Sequence, residues 1–283
     1  MPVIAVVNRK GGSGKSTIAA HLAAWCAKQG HAAMLGDVDR QQSSRGWLRR
    51  RGGELPQIAP WALDQKNVLR VPTGITHVVL DTPGGLHGFE LARIVMFADA
   101  IVMPVCPSVF DRESAASCHA ELMTLPRVAN GRCRLAAIGM RVDGRTNAAD
   151  TLKKWSEGVG VPLLGVLRET QLYVRSLEKG LTIFDLPPSQ AATDLAQWEP
   201  ILQWVDPIVN PPQAANDGPG ATRAPVTRIA ASRPQALMPA QEALVHGSRL
   251  LTGGRPLNPM PAKPAPATRE TRESGQIPGF LRR

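Results

Sequence analysis

The residues Lys10-Gly11-Gly12-Ser13-Gly14-Lys15-Ser16-Thr17 combine three glycines, two lysines and three hydroxyls within eight positions. The glycines let the backbone turn with its N–H groups inward, which is how a loop cradles phosphate. Lys15 would then reach the β- and γ-phosphates of a nucleotide, and Ser16 would offer a hydroxyl to Mg²⁺. A helix starting near Lys15 adds the positive end of its dipole to the same anion. The general pattern G-x-x-x-x-G-K-[ST] fails at its first glycine, where Arg9 stands, and the match is to K-G-G-x-G-K-[ST]. Residues 11–17 are therefore the expected nucleotide loop. Lys10, at its entrance, is poorly placed to fold back on its own phosphates, which points to a nucleotide held by another subunit.

Carboxylates complete such a site. Asp37-Val38-Asp39 follows the apolar run His31–Gly36, and two carboxylates one residue apart on extended chain point to opposite sides. One can face the Mg²⁺ shell and the other the attacking water. A second apolar run, His77-Val78-Val79-Leu80, ends in Asp81, a carboxylate that would act on Mg²⁺ through its water shell. Thr82-Pro83-Gly84-Gly85 would then be a switch loop sensing the γ-phosphate. His21, between apolar positions of the helix after the loop, has no second metal-type residue at ligand spacing and reads as a packed helix residue.

The elements that must position these groups alternate. Val3–Val7 reads as a strand, Thr17–Gln29 as a helix ended by Gly30, and His31–Gly36 and His77–Leu80 as strands, with Trp61 on a short strand inside the turn-rich stretch 52–74. Helices over Leu86–Ala98, Arg112–Leu125, Asn147–Gly158 and Gln171–Lys179 alternate with strands over Ala100–Val105, Arg134–Gly139 and Leu163–Leu167. The expectation is an α/β fold with a predominantly parallel sheet covered by helices on both faces, and loops at the carboxyl ends of its strands carrying the ligand.

Composition sets the outer bounds. The formal charge of +10 favours an anionic partner, and Arg49-Arg50-Arg51 is a candidate patch, read first as a solvated face. Cys26, Cys106, Cys118 and Cys133 have no C-x-x-C spacing, so buried free thiols in a reducing cytoplasm are expected. No charged-then-apolar leader and no run of the roughly 18 apolar residues that a membrane span needs is present, which argues for a cytoplasmic protein. From Pro207 onward the chain holds 13 of its 25 prolines, too little apolar surface to offset ordering, and ten Lys/Arg against four Asp/Glu. The division expected is an ATPase-like domain over 1–206 and a disordered tail over 207–283. The tail contains two apolar islands, Pro239–Leu251 and Ile277–Arg283.

The loop, the D-V-D-R-Q-Q-S stretch from Asp37 and the V-V-L-D-T-P-G stretch from Val78 together resemble the ParA/MinD family of deviant Walker A ATPases, a similarity that extends through M-P-V-C-P-S and V-L-R-E-T to about residue 205. The resemblance implies ATP and Mg²⁺ as cofactors and slow hydrolysis of ATP to ADP and phosphate. It implies a face-to-face homodimer in which Lys10 crosses to the other subunit's phosphates. Lys15 and Ser16 would bind phosphate and Mg²⁺, Asp39 would position the hydrolytic water, and Asp81, supported by Asp37, would hold the metal's water shell. Arg40 replaces the proline usual after this D-x-D in DNA-binding members, leaving the following loop less restrained.

Three functions compete on these grounds. A ParA-like ATPase would partition or position a plasmid, chromosome locus or protein cluster through nonspecific DNA binding, at the nucleoid, with a ParB-like or other activating protein. A MinD-like or secretion-associated regulator would recruit a protein or membrane without DNA, although the chain lacks a long amphipathic terminal helix for membrane binding. An ATP-dependent reductase or ligase is the third; a reductase would need cysteines bridging a cluster between subunits, and no clear pair is present.

Overall fold

The computed structural model describes residues 1–38, 43–62 and 71–211. Asp39, Arg40, Gln41 and Gln42 lie outside these, as do the two apolar islands of the expected tail. Seven strands form one sheet: β1 Val3–Val6, β2 Ala33–Asp37, β3 Ile58–Ala62, β4 His77–Asp81, β5 Ala100–Val105, β6 Arg134–Val142 and β7 Leu163–Arg168. Their order is β3-β2-β4-β1-β5-β6-β7, and every pair is parallel. The helices are α1 Lys15–Lys28, α2 Ser43–Leu48, α3 Gly88–Val95, α4 Val109–Thr124, α5 Pro126–Ala129, α6 Ala148–Val159, α7 Gln171–Glu178 and α8 Pro188–Val209, with a 3-10 turn at Ile183–Asp185.

Strand alternation sorts the core into two layers. From β1, Ile4 and Val6 join Leu35, Val79, Val102 and Ile138 beneath α1, α7 and α8. Val3, Ala5 and Val7 join Met34, Leu80, Ile101 and Met103 beneath α3, α4 and α6. Burial on both faces is why these strands read as continuous apolar runs. Each fully buried Leu or Ile contributes about 1.5–3 kcal/mol.

Two differences from the sequence reading concern edges. The short strand around Trp61 is β3, an edge of the sheet beside β2. The final helix, unread in the sequence, covers β7 and runs through Pro200 and Pro207, past the boundary expected at Pro207. Both prolines lie on its exposed side, while Ala191, Asp194, Trp198, Ile201, Val205 and Val209 recur at helical spacing on the buried side. The Val209 carbonyl at its end accepts a hydrogen bond from His77 Nε2 at 2.9 Å, tying this helix to β4.

The register delivers the functional strand ends together. Val6 pairs with Asp81, and Asp37 pairs with Asp81 from the other side. β1 is followed by a crossover to β2 on one flank, whereas β4 crosses over β1 to β5 on the other. The loop after β1 therefore opens at a switch of direction, where ligands bind in open α/β sheets.

Candidate nucleotide site

The loop leaves β1 through Asn8, which is fully buried. Its Nδ2 donates to the Pro104 carbonyl at 2.6 Å and its Oδ1 accepts from the Lys10 N–H at 3.1 Å, so one side chain binds the loop's entrance to the end of β5. Gly14 caps α1 with φ 96°, a left-handed conformation that glycine adopts without strain. A Cβ there would also lie 2.7 Å from Met140 Cε. No side chain caps α1 and its first turn carries no acidic residue, so the protein leaves the positive end of this helix to an anion. Lys15 is buried, its Nζ donating to the Lys10 carbonyl at 3.0 Å, which holds the ammonium across the loop. Ser13 is buried with an Oγ lacking a hydrogen-bond partner among the described residues.

Asp37 and Asp81 end adjacent strands, both buried. Asp37 Oδ2 accepts the Arg45 N–H at 3.1 Å. Asp81 Oδ2 accepts from the Ser44 hydroxyl, whereas its Oδ1 is buried without a hydrogen-bond partner among the described residues. Burial raises the Asp81 carboxyl to about 6, against the opposing pull of the Ser44 and Ser16 hydroxyls, and the nearby Asp37 charge pushes the same way as burial. A carboxylate kept in that condition has an oxygen to give to a cation. Two carboxylates in register and a serine hydroxyl are hard oxygen donors of the kind Mg²⁺ takes, so the residues fit the ion.

The switch loop seats on the phosphate loop. The Gly85 N–H donates to the Arg9 carbonyl, and Thr82 Oγ1 donates to the Val6 carbonyl at 2.7 Å. A Cβ on Gly84 would stand 3.3 Å from Gly11 Cα, so only glycine allows this approach without a shift. Glu121 of α4 joins both: it pairs with the Arg9 guanidinium and accepts the Gly88 N–H at 2.6 Å.

Lys10 and Lys15 diverge. Lys10 Nζ donates to Asp111 Oδ2 at 2.8 Å, with the lysine side chain 37% exposed. Burial penalises the Asp111 charge, but Lys10 and the Ser108 hydroxyl outweigh it and hold this carboxyl below its usual range. Asp39, the expected water-positioning residue, lies outside the described residues, while loop residues 11–17, Asp37 and Asp81 converge at the carboxyl edge of β1, β2 and β4. Asn8, Ser44, Asp111 and Glu121 were missed in the sequence, where each stands outside the motif that it supports. Beyond Met140, toward the ends of β6 and β7, a cavity of about 680 Å³ is lined by Asp143, Arg145, Arg168, Glu169 and Gln197 among others, room enough for a nucleoside.

The remaining candidates resolve as structure. His21 is fully buried and stacked on Trp198, with Nδ1 donating to the Thr17 carbonyl at 2.7 Å and Nε2 accepting from the Ile183 N–H at 3.3 Å. All four cysteines are buried free thiols, and burial raises those of Cys26 and Cys133 to about 12. Such thiols are poor ligands for a cluster shared between subunits. Of the arginine run, Arg51 turns inward onto Asp185 at 2.9 Å, leaving Arg49 and Arg50 exposed. Among the described residues no helix is long and apolar enough to cross a membrane.

This chain is similar to known proteins. The family model CbiA, the CobQ/CobB/MinD/ParA nucleotide binding domain, matches residues 4–183. The chain is 30% identical over 211 residues to the Maintenance of carboxysome distribution protein A of Gloeobacter kilaueensis, a match covering 72% of this chain and 94% of that one. It is 30% identical over 186 residues to the chromosome-partitioning ATPase Soj of Thermus thermophilus, covering 53% and 73% respectively. Among solved structures, the septum site-determining protein MinD of Pyrococcus horikoshii, complexed with Mg-ADP, superposes with a TM-score of 0.58 at 15% identity over 74% of this chain and 97% of that one.

Proposed function

Because the chain belongs to the CobQ/CobB/MinD/ParA family of nucleotide-binding domains, we propose that it is a ParA-like, Mg²⁺-dependent ATPase whose ATP-bound homodimer positions an intracellular cargo on DNA. The observation that carries the reading is the second lysine of the loop, Lys10, set apart from Lys15 in a chain that spans 94% of a carboxysome-distribution protein and resembles a chromosome-partitioning ATPase. A compact ATPase domain reaches the end of α8, and the Pro-rich stretch that follows adds positive charge. A partner protein of ParB type would accelerate hydrolysis, and the site of action would be the cytoplasm at the nucleoid surface.

In this reading Lys15 and the N–H groups of Gly11–Thr17 bind the phosphate chain. The Ser16 hydroxyl, Asp37 and Asp81 would hold Mg²⁺, which would supply charge neutralisation at the phosphates. Asp39 orients the attacking water. Lys10 leaves Asp111 and reaches the phosphates held by a second copy, adding the cation that a single subunit lacks. Thr82–Gly85, already seated on Arg9 and Gly11, couples the state of the phosphates through Glu121 to the first turn of α3.

The surface that suits DNA lies where α2 meets α7. Arg49, Arg50, Arg175 and Lys179 are exposed there, and Arg50 NH2 donates to the Leu177 carbonyl at 3.4 Å, joining the two helices. Fragment retention on nonspecific duplex DNA tests the reading with ATP, with ADP, and with an Arg49→Glu/Lys179→Glu variant. ATP-dependent retention that weakens steeply with salt and falls at least tenfold in the variant is expected. Equal, negligible retention in every nucleotide state, or flotation with anionic liposomes in its place, would overturn the DNA reading.

A further inference from the structure

Arg141 has φ 53°, and among the described residues it is the one non-glycine in the left-handed region. The β6–β7 register shifts between Gly139 and Val142, so Arg141 occupies an irregular step of the strand. Such steps beside active sites re-aim a side chain, and a left-handed arginine persists only where its surroundings hold it. Both neighbours are buried: Val142 in the core, and Met140 against Gly14 of the phosphate loop. The exposed residue between them is thus fixed to the floor of the nucleotide site by the side chain before it.

Among the described residues no partner accounts for its charge. Among the described residues Arg141 makes no ion pair and no side-chain hydrogen bond, unlike Arg9, Arg51, Arg127, Arg145 and Arg168. Its positive charge is nevertheless felt at Cys106 and at Asp111, the carboxylate that grips Lys10, which puts Arg141 near the Lys10 end of the loop. We propose that Arg141 is a phosphate-binding residue, delivered by the irregular step in β6 to the phosphate chain of the nucleotide in the Lys10–Thr17 loop. A guanidinium offers a planar fork of donors that matches phosphate oxygens, a contact Lys15 makes only as a point charge. The inference rests on the nucleotide reading and assigns it one further residue.

The test uses the full chain and four forms of it: unmodified, Arg141→Gly, Arg141→Lys and Lys15→Ala. ADP affinity, competition by inorganic pyrophosphate and thermal unfolding are measured for each. Glycine adopts φ 53° without strain, so Arg141→Gly is expected to unfold at the same or a higher temperature while binding ADP about tenfold more weakly. Pyrophosphate competition should weaken in parallel, and Arg141→Lys should recover part of the loss. An Arg141→Gly protein that binds ADP like the unmodified chain would make Arg141 a turn residue and overturn the proposal, as would a loss of ADP affinity with unchanged pyrophosphate competition. ADP binding that needs Lys15 but ignores Arg141 overturns this inference alone. No ADP binding by the unmodified chain would overturn the nucleotide reading and this inference with it.

Discussion

Asp81 and His21 show how burial assigns opposite tasks to two ionisable side chains. Among the described residues Asp81 retains an oxygen without a hydrogen-bond partner, a cost that a site-bound cation removes; His21 has both ring nitrogens satisfied, so burial simply keeps it neutral. Desolvation lowers the His21 ring from 6.5 to about 4, with the Thr17 carbonyl and the charges of Asp185 and Asp194 opposing and Arg51 assisting. Above pH 6.5 neither the folded nor the unfolded ring carries a proton, and His21 adds no pH dependence. Between 6.5 and about 4 the unfolded chain takes up a proton that the folded chain refuses, so stability falls with pH, by roughly 3 kcal/mol across the window. Asp81, raised to about 6, acts in the opposite sense over part of that range, so the informative quantity is a difference. Denaturant unfolding of the native chain and of His21→Gln from pH 7.5 to 4.5 should give a difference that shrinks steadily below pH 6.5, and a constant difference would contradict the assignment.

At the scale of elements, the Arg49–Arg51 run separates what is legible in a sequence from what is not. Three adjacent arginines at the end of a short helix read as one basic face, yet the Arg51 side chain is 3% exposed, paired through two nitrogens with an Asp185 that is 1% exposed. Asp185 also accepts from the Thr182 N–H and hydroxyl, each at 2.8 Å. Removing one partner strands a buried charge, so Asp185→Ala should destabilise by about 3–5 kcal/mol, whereas an apolar replacement of both partners should cost far less. Chemical denaturation of the single and double variants checks this, and a cost under about 1 kcal/mol for Asp185→Ala would show the pair to be solvated. The strands, the phosphate loop and Asp81 were legible because both sheet faces are buried and the motif residues are contiguous. Arg51, Asn8 and Glu121 were not, since each is recruited by a partner far along the chain. Helix α8 was hidden differently: Pro200 and Pro207 interrupt its pattern, although the buried spacing from Ala191 to Val209 carries it.

For the whole molecule the question is whether the Lys10–Asp111 pair holds the protein back from dimerising. The pair is short, 2.8 Å, but Lys10 is 37% exposed, and a solvated pair of this kind is worth about 0–1 kcal/mol. Asp111 is also held by Ser108 through its carboxylate, and its own N–H donates to Ser108 Oγ at 3.2 Å, so its charge stays supported when the lysine leaves. In the proposed dimer, contacts to a triphosphate on a second copy, charge-assisted and shielded from water, would outweigh so small a loss. The resting pair therefore parks Lys10 without locking it. Lys10→Ala should bind ADP within about threefold of the native chain, because Lys15 and the loop N–H groups remain, yet stay monomeric with ATP where the native chain dimerises. Light scattering after size exclusion, with ATP and with ADP, reads this directly. Dimers of Lys10→Ala formed with ATP at the native concentration would return Lys10 to a role within its own subunit, and Asp111 would then be its functional partner.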